Sequence, residues 1–294
     1  MRIKNKILYL SKLIKVKPLE LKRNLEKYKG EIIVIKYGGS AMLDPKLSSI
    51  FSKDIEFLVS LGVKPIIVHG GGPQINELLD TMKIKHQFLK GMRITNKKTF
   101  RIVEMVLSGM INKNISLNLS RKGVSAIGLS GCDSGMILVK KLLFREKKRI
   151  IDLGYVGKPY KLNKFFIKQL LDLNIIPVIA PIGYNSSGIK FNINADLTAG
   201  FIAHNLNSRR LLMLTDVAGV KDKNNQLITE LKLKEVKNLI SKNIIYGGMI
   251  PKVNTCIETV NKGVRASVII DGRVKHALLK ELLSDKGIGT LFRK

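Results

Sequence analysis

The chain has no tryptophan, two cysteines and eight prolines in 294 residues, and 22 acidic residues against 52 basic ones. Without tryptophan, and with aromatics at 6%, base-stacking platforms for single-stranded nucleic acid are scarce. Cys132 and Cys256 lie far apart and form no CxxC, which speaks against a disulfide framework and a zinc site. A reducing, cytoplasmic setting is expected, or an organelle stroma if the source is eukaryotic. No apolar run is long enough to cross a bilayer. The chain also lacks a GxxxxGK[ST] loop, a GxGxxG fingerprint and the HRD and DFG signatures. Its four histidines are scattered, and none stands beside a nucleophile in sequence.

The shortage of acid leaves a formal net charge of +30. Such a surplus suits a nucleic-acid or membrane partner. Here it is mostly lysine, spread along the whole chain, and isoleucine and asparagine are abundant too. The codons of all three are AT-rich, so biased composition accounts for the charge. Neither nucleic acid nor a membrane is expected as a partner. Residues 1–29 form a basic, amphipathic stretch with Ile3, Ile7, Leu10, Leu13 and Ile14 near helical spacing. Its lysines, Glu20 and Glu26 argue against a transit peptide. A docked helix or an oligomer arm is expected, with Pro18 breaking or starting a helix.

What the chain does have is two apolar strands that run into glycine loops. Ile32–Lys36 leads into Tyr37-Gly38-Gly39, and Pro65–Val68 leads into His69-Gly70-Gly71-Gly72-Pro73. A helical pattern follows each, which places backbone N–H groups at the carboxyl ends of parallel strands, ready for anions. Strands and helices alternate onward: helices over 97–109, 111–122, 163–173, 231–240 and 253–263, strands over 124–129, 175–180, 210–214 and 265–271, and a hairpin over 136–156 with a charged tip at 145–149. The fold class this predicts is α/β, a mostly parallel open sheet with helices on both faces. A soft boundary falls near 181–188. It divides an N-terminal extension (1–29), an N-terminal lobe (30–184) and a C-terminal lobe (185–294).

Lys36 adds a point charge to the first glycine loop. Three glycines at a helix start expose donors in the second, where Pro73 costs no hydrogen bond. Arg93 has the planar fork that clamps a carboxylate. Asn192-Ile193-Asn194-Ala195-Asp196 reads as a helix cap or as a polar cluster orienting charges. Lys252, in the first turn of a helix, opposes the helix dipole, a hint that an anion shares its site.

Together these loops resemble the amino-acid kinase family, and within it the branch that phosphorylates N-acetyl-L-glutamate. The resemblance spans 32–292 and rests on Lys36–Met42, Val68–Ile75, Gly91–Thr95, Asn192–Asp196 and Gly248–Lys252 in the family's order. It implies ATP-dependent phosphorylation of the side-chain carboxylate of N-acetyl-L-glutamate, a step of arginine synthesis, with Mg²⁺ held mainly by the nucleotide phosphates and no protein metal site. By position Lys36 and Lys252 are the transition-state lysines, and Asp196 orients both. Gly71, Gly72, Arg93 and Asn192 form the acetylglutamate site. Gly38, Gly39, Thr215, Asp216, Val217, Gly219, Lys221, Tyr246 and Gly248 form the nucleotide side.

The extension and tail resemble the arginine-inhibited, hexameric branch. They imply a homodimer or trimer of dimers, with L-arginine as inhibitor on His276, Glu281 and Gly287. The residues leave a nitrogen-regulatory partner protein open. Departures from the family pattern are Cys132 for lysine, Ser134 for glycine, Lys158 for glutamate, Asn96 for aspartate, and a strand 266–270 without its usual histidine. None removes a catalytic group. The rivals are acetylaminoadipate kinase, and glutamate 5-kinase or aspartokinase, which the short tail disfavours. A basic binding protein without catalysis is a further rival, opposed by the intact lysines and Asp196.

Overall fold

The computed structural model describes residues 3–146 and 149–294. Two helices, α1 (Ile3–Ile14) and α2 (Pro18–Glu26), fill the amphipathic stretch, with the break at Pro18 as expected. Lys15 takes a positive φ of 58° between them and Pro18 starts the second helix, where its missing N–H costs nothing. Both dock through Leu10, Ile14, Leu21 and Leu25, all buried.

Then come β1 (Ile32–Tyr37), a 3₁₀ turn (Gly39–Met42), α3 (Pro45–Ser60), β2 (Lys64–His69) and α4 (Gly72–Thr81). Asp44 caps α3 by accepting from the Lys46 and Leu47 N–H groups, and Gly62, at φ 88°, follows its end. A ribbon of β3 (Phe88–Leu89) and β4 (Met92–Arg93) precedes α5 (Lys97–Glu104). Sequence spacing predicts a break near Gly109. Instead, α5 runs through a π-helical segment (Met105–Ile111) straight into α6 (Asn112–Ser120). The extra residue of a π turn absorbs the shift in apolar phase that reads as two helices.

Next are β5 (Ala126–Ser130), the hairpin β6 (Ile137–Glu146) and β7 (Arg149–Leu162), α7 (Lys164–Asp172), β8 (Ile176–Ala180), β9 (Ile182–Tyr184) and β10 (Lys190–Asn192). Residues 147 and 148 of the expected charged tip lie outside the described residues. The last stretch holds α8 (Ala195–Asn205), β11 (Arg210–Thr215), β12 (Glu230–Lys232), α9 (Leu233–Ser241), α10 (Met249–Asn261), β13 (Ser267–Asp271), α11 (Ala277–Leu283) and β14 (Thr290–Arg293). Three readings change here. Residues 230–232 are strand, α10 begins at Met249 rather than Val253, and the tail ends in a strand.

Eight strands form one sheet in the order β12-β14-β13-β11-β1-β2-β8-β5. Every pair is parallel except β13 with β14. Strands β6, β7, β9 and β10 close a small separate barrel. Alternation along the central strands feeds two cores. Ile33, Ile35 and Ile67 point into one with α1 to α6 and α11, while Val34, Ile66 and Val68 point into the other with α7 to α10. The sheet is thus covered on both faces, as expected. Because β11, β1 and β2 are parallel neighbours, their terminal residues Thr215, Tyr37 and His69 share one edge, and the loops after them meet there.

On one face α11 is tied to α3 by His276 Nδ1 and Asp54 Oδ1, 2.6 Å apart. Burial pushes the Asp54 carboxyl up to about 6, although His276 pulls the other way. An unfolded aspartate releases its proton near pH ~4. Between about pH 4 and 6, therefore, the folded chain holds a proton that the unfolded chain has lost, and stability falls as pH rises, by up to about 3 kcal/mol from this group. Denaturant titrations at both ends of that window check this: the native chain should lose more stability across it than Asp54→Asn.

Candidate active site

Asp196 is the second residue of α8, where a carboxylate complements the helix dipole. Asn194 caps that helix, accepting from the Asp196 and Leu197 N–H groups at 2.8 and 3.2 Å. Lys252 lies in the first turn of α10. The two helices approach closely at Gly200, where an added Cβ would lie 2.7 Å from Thr259 Oγ1 and 2.8 Å from Thr255 Cγ2. That approach brings Lys252 Nζ to 2.8 Å from Asp196 Oδ2. From β1, Lys36 Nζ comes to 3.2 Å from Asp196 Oδ1.

Lys36 and Asp196 are buried, and Lys252 is partly so. Burial works against the Asp196 carboxylate, but the two ammonium groups outweigh it and hold the carboxyl down at about 2. Burial also holds the Lys36 ammonium below its usual value, against the pull of Asp196 and with repulsion from Lys252. Two cations thus share one anion, and the cluster carries a surplus positive charge at a water-poor place. A further anion is favoured there.

On one side of this cluster lies a cavity of about 150 Å³, lined by Gly70, Gly71, Gly72, Arg93, Leu107 and Asn192 among others. All four residues expected to hold the acceptor line it. Arg93 Nη2 donates to Asn76 Oδ1 at 2.5 Å, and its guanidinium lies 4.6 Å from the centre of the Phe88 ring. Its Nη1 is buried without a partner among the described residues. A buried donor left unpaired is costly unless a ligand satisfies it, which fits a carboxylate.

The glycines here do different work. A Cβ on Gly71 would stand 2.5 Å from Ile111 Cδ1 and 2.7 Å from Leu107 Cδ2, whereas one on Gly72 would meet nothing within 4 Å. Gly71→Ala should therefore cost about 1–3 kcal/mol of stability by overpacking. Gly72→Ala should fold within about 0.5 kcal/mol of the native chain and act only on what enters the cavity. Thermal melts beside acceptor titrations separate the two.

On the other side a cleft of about 930 Å³ is lined by Thr215, Asp216, Val217, Gly219, Lys221, Tyr246, Gly248, Lys252 and Arg273 among others. Seven of the expected nucleotide residues are on that wall. The remaining two, Gly38 and Gly39, form the loop between it and Lys36. A Cβ on Gly38 would come 2.8 Å from Lys36 Nζ, and one on Gly39, at φ 75°, would come 2.4 Å from Asp216 Oδ1. The loop is fastened by Asp216, whose Oδ1 accepts from Ser40 N at 2.8 Å and from Ser40 Oγ at 2.7 Å. In sequence, Ser40's only signal is its place directly after two glycines at a strand end.

A third cavity, of about 460 Å³, lies beside the end of α11. Glu281 and Gly287 line it with Asn24, Tyr28 and Arg210. Glu281 accepts from the Ile288 and Gly289 N–H groups at 2.8 and 3.2 Å. His276 is the exception among the expected effector residues. It is not among those lining this cavity, and its ring is engaged by Asp54, because the left-handed turn at His276 (φ 57°) directs it toward α3.

Of the positions that depart from the common pattern, Asn96 caps α5 by accepting from the Thr99 N–H, as an aspartate would. Ser134 adopts φ 49°, a conformation that glycine takes more readily. Cys132 is half-buried, and burial pushes its thiol up to about 11.

Residues 31–271 match the amino acid kinase family model. Acetylglutamate kinase of Rhodospirillum rubrum is 47% identical over 275 residues, which cover 92% of this chain and 89% of that one. Acetylglutamate kinase of Geobacter sulfurreducens is 46% identical over 271 residues, 90% and 93% of the two chains. Among solved structures, N-acetylglutamate synthase from Neisseria gonorrhoeae superposes with a TM-score of 0.83 at 20% identity, covering 94% of this chain, which spans 62% of the synthase. Carbamate kinase from Giardia lamblia superposes with a TM-score of 0.65 at 20% identity, over 90% of this chain and 99% of that one. These two likenesses speak to the fold.

Proposed function

The chain belongs to the amino acid kinase family and is a kinase, and on that footing we propose that it transfers the terminal phosphoryl group of ATP to the side-chain carboxylate of N-acetyl-L-glutamate. The observation that carries this reading is the buried Lys36–Asp196–Lys252 cluster, with an acceptor-sized cavity on one side and a nucleotide-sized cleft on the other. A carboxylate with a pKa of about 4.3 is already a nucleophile at neutral pH, so no general base is required. What is required is two anions held in line and cancellation of charge on the moving phosphoryl group.

Arg93 Nη1 and the Gly71 and Gly72 N–H groups suit the fixed end of the acceptor. The Gly38–Gly39 loop, with no side chain to fill it, suits the nucleotide phosphates. Mg²⁺, carried by the phosphates, would supply further charge neutralisation. In this reading the N-terminal lobe holds the acceptor and the C-terminal lobe the nucleotide, in a cytoplasmic enzyme of arginine synthesis. L-Arginine would enter the third cavity and set its guanidinium against Glu281. Leu19, 80% exposed on α2, and the exposed Leu8 and Tyr9 on α1 would pack against a second copy of the chain.

A coupled assay of ADP release tests the reading. Acceptors would be N-acetyl-L-glutamate, acetylaminoadipate, glutamate and aspartate, each with and without L-arginine. Turnover should be greatest with N-acetyl-L-glutamate and suppressed sigmoidally by arginine. Preference for a different acceptor would move the chain to a neighbouring carboxylate kinase. Indifference to millimolar arginine would remove the regulatory part alone.

A further inference from the structure

His69 is fully buried at the end of β2 and takes no part in the chemistry described above. Its Nδ1 lies 2.8 Å from the carbonyl oxygen of Gly70. A carbonyl only accepts, so Nδ1 carries the proton. Its Nε2 lies 3.1 Å from Asn112 Nδ2. That amide nitrogen also reaches the carbonyls of Leu129 at 3.2 Å and Val178 at 2.9 Å. The two carbonyls mark that atom as the NH₂ nitrogen rather than the amide oxygen, its two hydrogens shared among three acceptors; Nε2 therefore faces a donor and carries no proton, and the ring is neutral. Burial agrees, bringing the imidazole down to about 4.

Asn112 directly follows the π-helical segment, and that segment's Leu107 and Ile111 are the side chains that crowd Gly71. One stretch of helix thus covers Gly71 and also locks the His69 ring. The Gly70 N–H donates to the Tyr37 carbonyl at 2.8 Å, and the Gly71 carbonyl accepts from the Ile75 N–H at 3.0 Å. With the Gly70 carbonyl held by the ring, the planar trans peptide turns the Gly71 N–H the opposite way. No acceptor for that N–H is present among the described residues, and Gly71 lines the 150 Å³ cavity.

We infer that His69 is a positioning residue for the acceptor: its Nδ1–H pins the Gly70 carbonyl so that the Gly71 N–H is aimed at the acceptor's anionic group, and Asn112 selects the ring tautomer that makes this donation. The inference rests on the reading of this cavity as the acceptor site.

Two amide replacements test it. His69→Asn sets its NH₂ near the place of Nδ1 and keeps the donation, whereas His69→Gln moves the amide out to the place of Nε2 and loses it. His69→Gln should raise the acceptor KM by about tenfold or more, with the ATP KM within about twofold, and His69→Asn should recover most of the loss. Equal losses in the two variants, unchanged acceptor KM in both, or an ATP KM rising in step would overturn the role. Nitrogen-15 shifts of the native imidazole give a readout that needs neither variant to fold. The Nδ1–H tautomer is expected, and an Nε2–H tautomer would overturn the proposal. Calorimetry of N-acetyl-L-glutamate with the native chain separates the two levels. No binding there overturns the cavity reading and this inference with it, while native binding that both variants retain in full overturns the role of His69 alone.

Discussion

Replacing Asp196 with asparagine should lower kcat by at least about a hundredfold and cost about 3–5 kcal/mol of folding stability. The two losses have one cause. Asp196 is the anion shared by Lys36 and Lys252, at 3.2 and 2.8 Å. Asparagine preserves its shape and its place after the Asn194 cap but removes the charge. Lys36 is then a buried cation beside a second cation, with only the weaker pull of Asp216 left to it, and removing one partner of a buried pair is strongly destabilising. The chain can relieve part of the cost by releasing the Lys36 proton, which burial already favours. The stability deficit of Asp196→Asn should therefore shrink as pH rises above neutrality. Denaturant unfolding at two pH values, beside initial rates, checks both statements.

Lys36→Met should lose activity without losing stability, giving a folded protein with kcat down about 10²–10³-fold, equivalent to about 3–4 kcal/mol of barrier. Methionine fills a similar length of apolar space, and Asp196 keeps its 2.8 Å contact with Lys252. Removing a cation that burial and a neighbouring cation both disfavour leaves stability within about 1 kcal/mol of the native chain or above it. The positive charge at the end of β1 is thus stability given up for chemistry. A thermal midpoint well below the native one would show that Lys36 holds the fold together. Near-native turnover would show that the phosphoryl group does not pass it.

Much of this arrangement is legible in the residues because glycine and charge are local signals. The loops after β1 and β2 announce themselves by glycines at strand ends, and the opposing place of Lys252 in a helix start hints at an anion. That Lys36 and Lys252 meet on Asp196 is not a local fact. It depends on parallel pairing of β1 with β11 and on the close passage of α8 and α10 at Gly200, neither of which has a short-range signature. The π-helical segment reads as a break because one extra residue shifts the 3.6-residue period, and Gly109 within it mimics a terminus. The tail strand β14 has no signature in sequence because its four residues, Thr290–Arg293, gain their identity from pairing with β13 and β12 rather than from pattern. His276 carries its effector role only by resemblance, and its left-handed backbone and its contact with Asp54 are invisible in sequence. The partners that made His69 informative lie 43 residues away at Asn112.

The most direct measurement is to incubate the chain with ATP, Mg²⁺ and N-acetyl-L-glutamate and trap the product with hydroxylamine, which reacts with acyl phosphates. The account predicts a hydroxamate formed in step with ADP, dependent on N-acetyl-L-glutamate and lost in Lys36→Met. ADP release without hydroxamate, or no turnover from a protein shown to be folded, would contradict it.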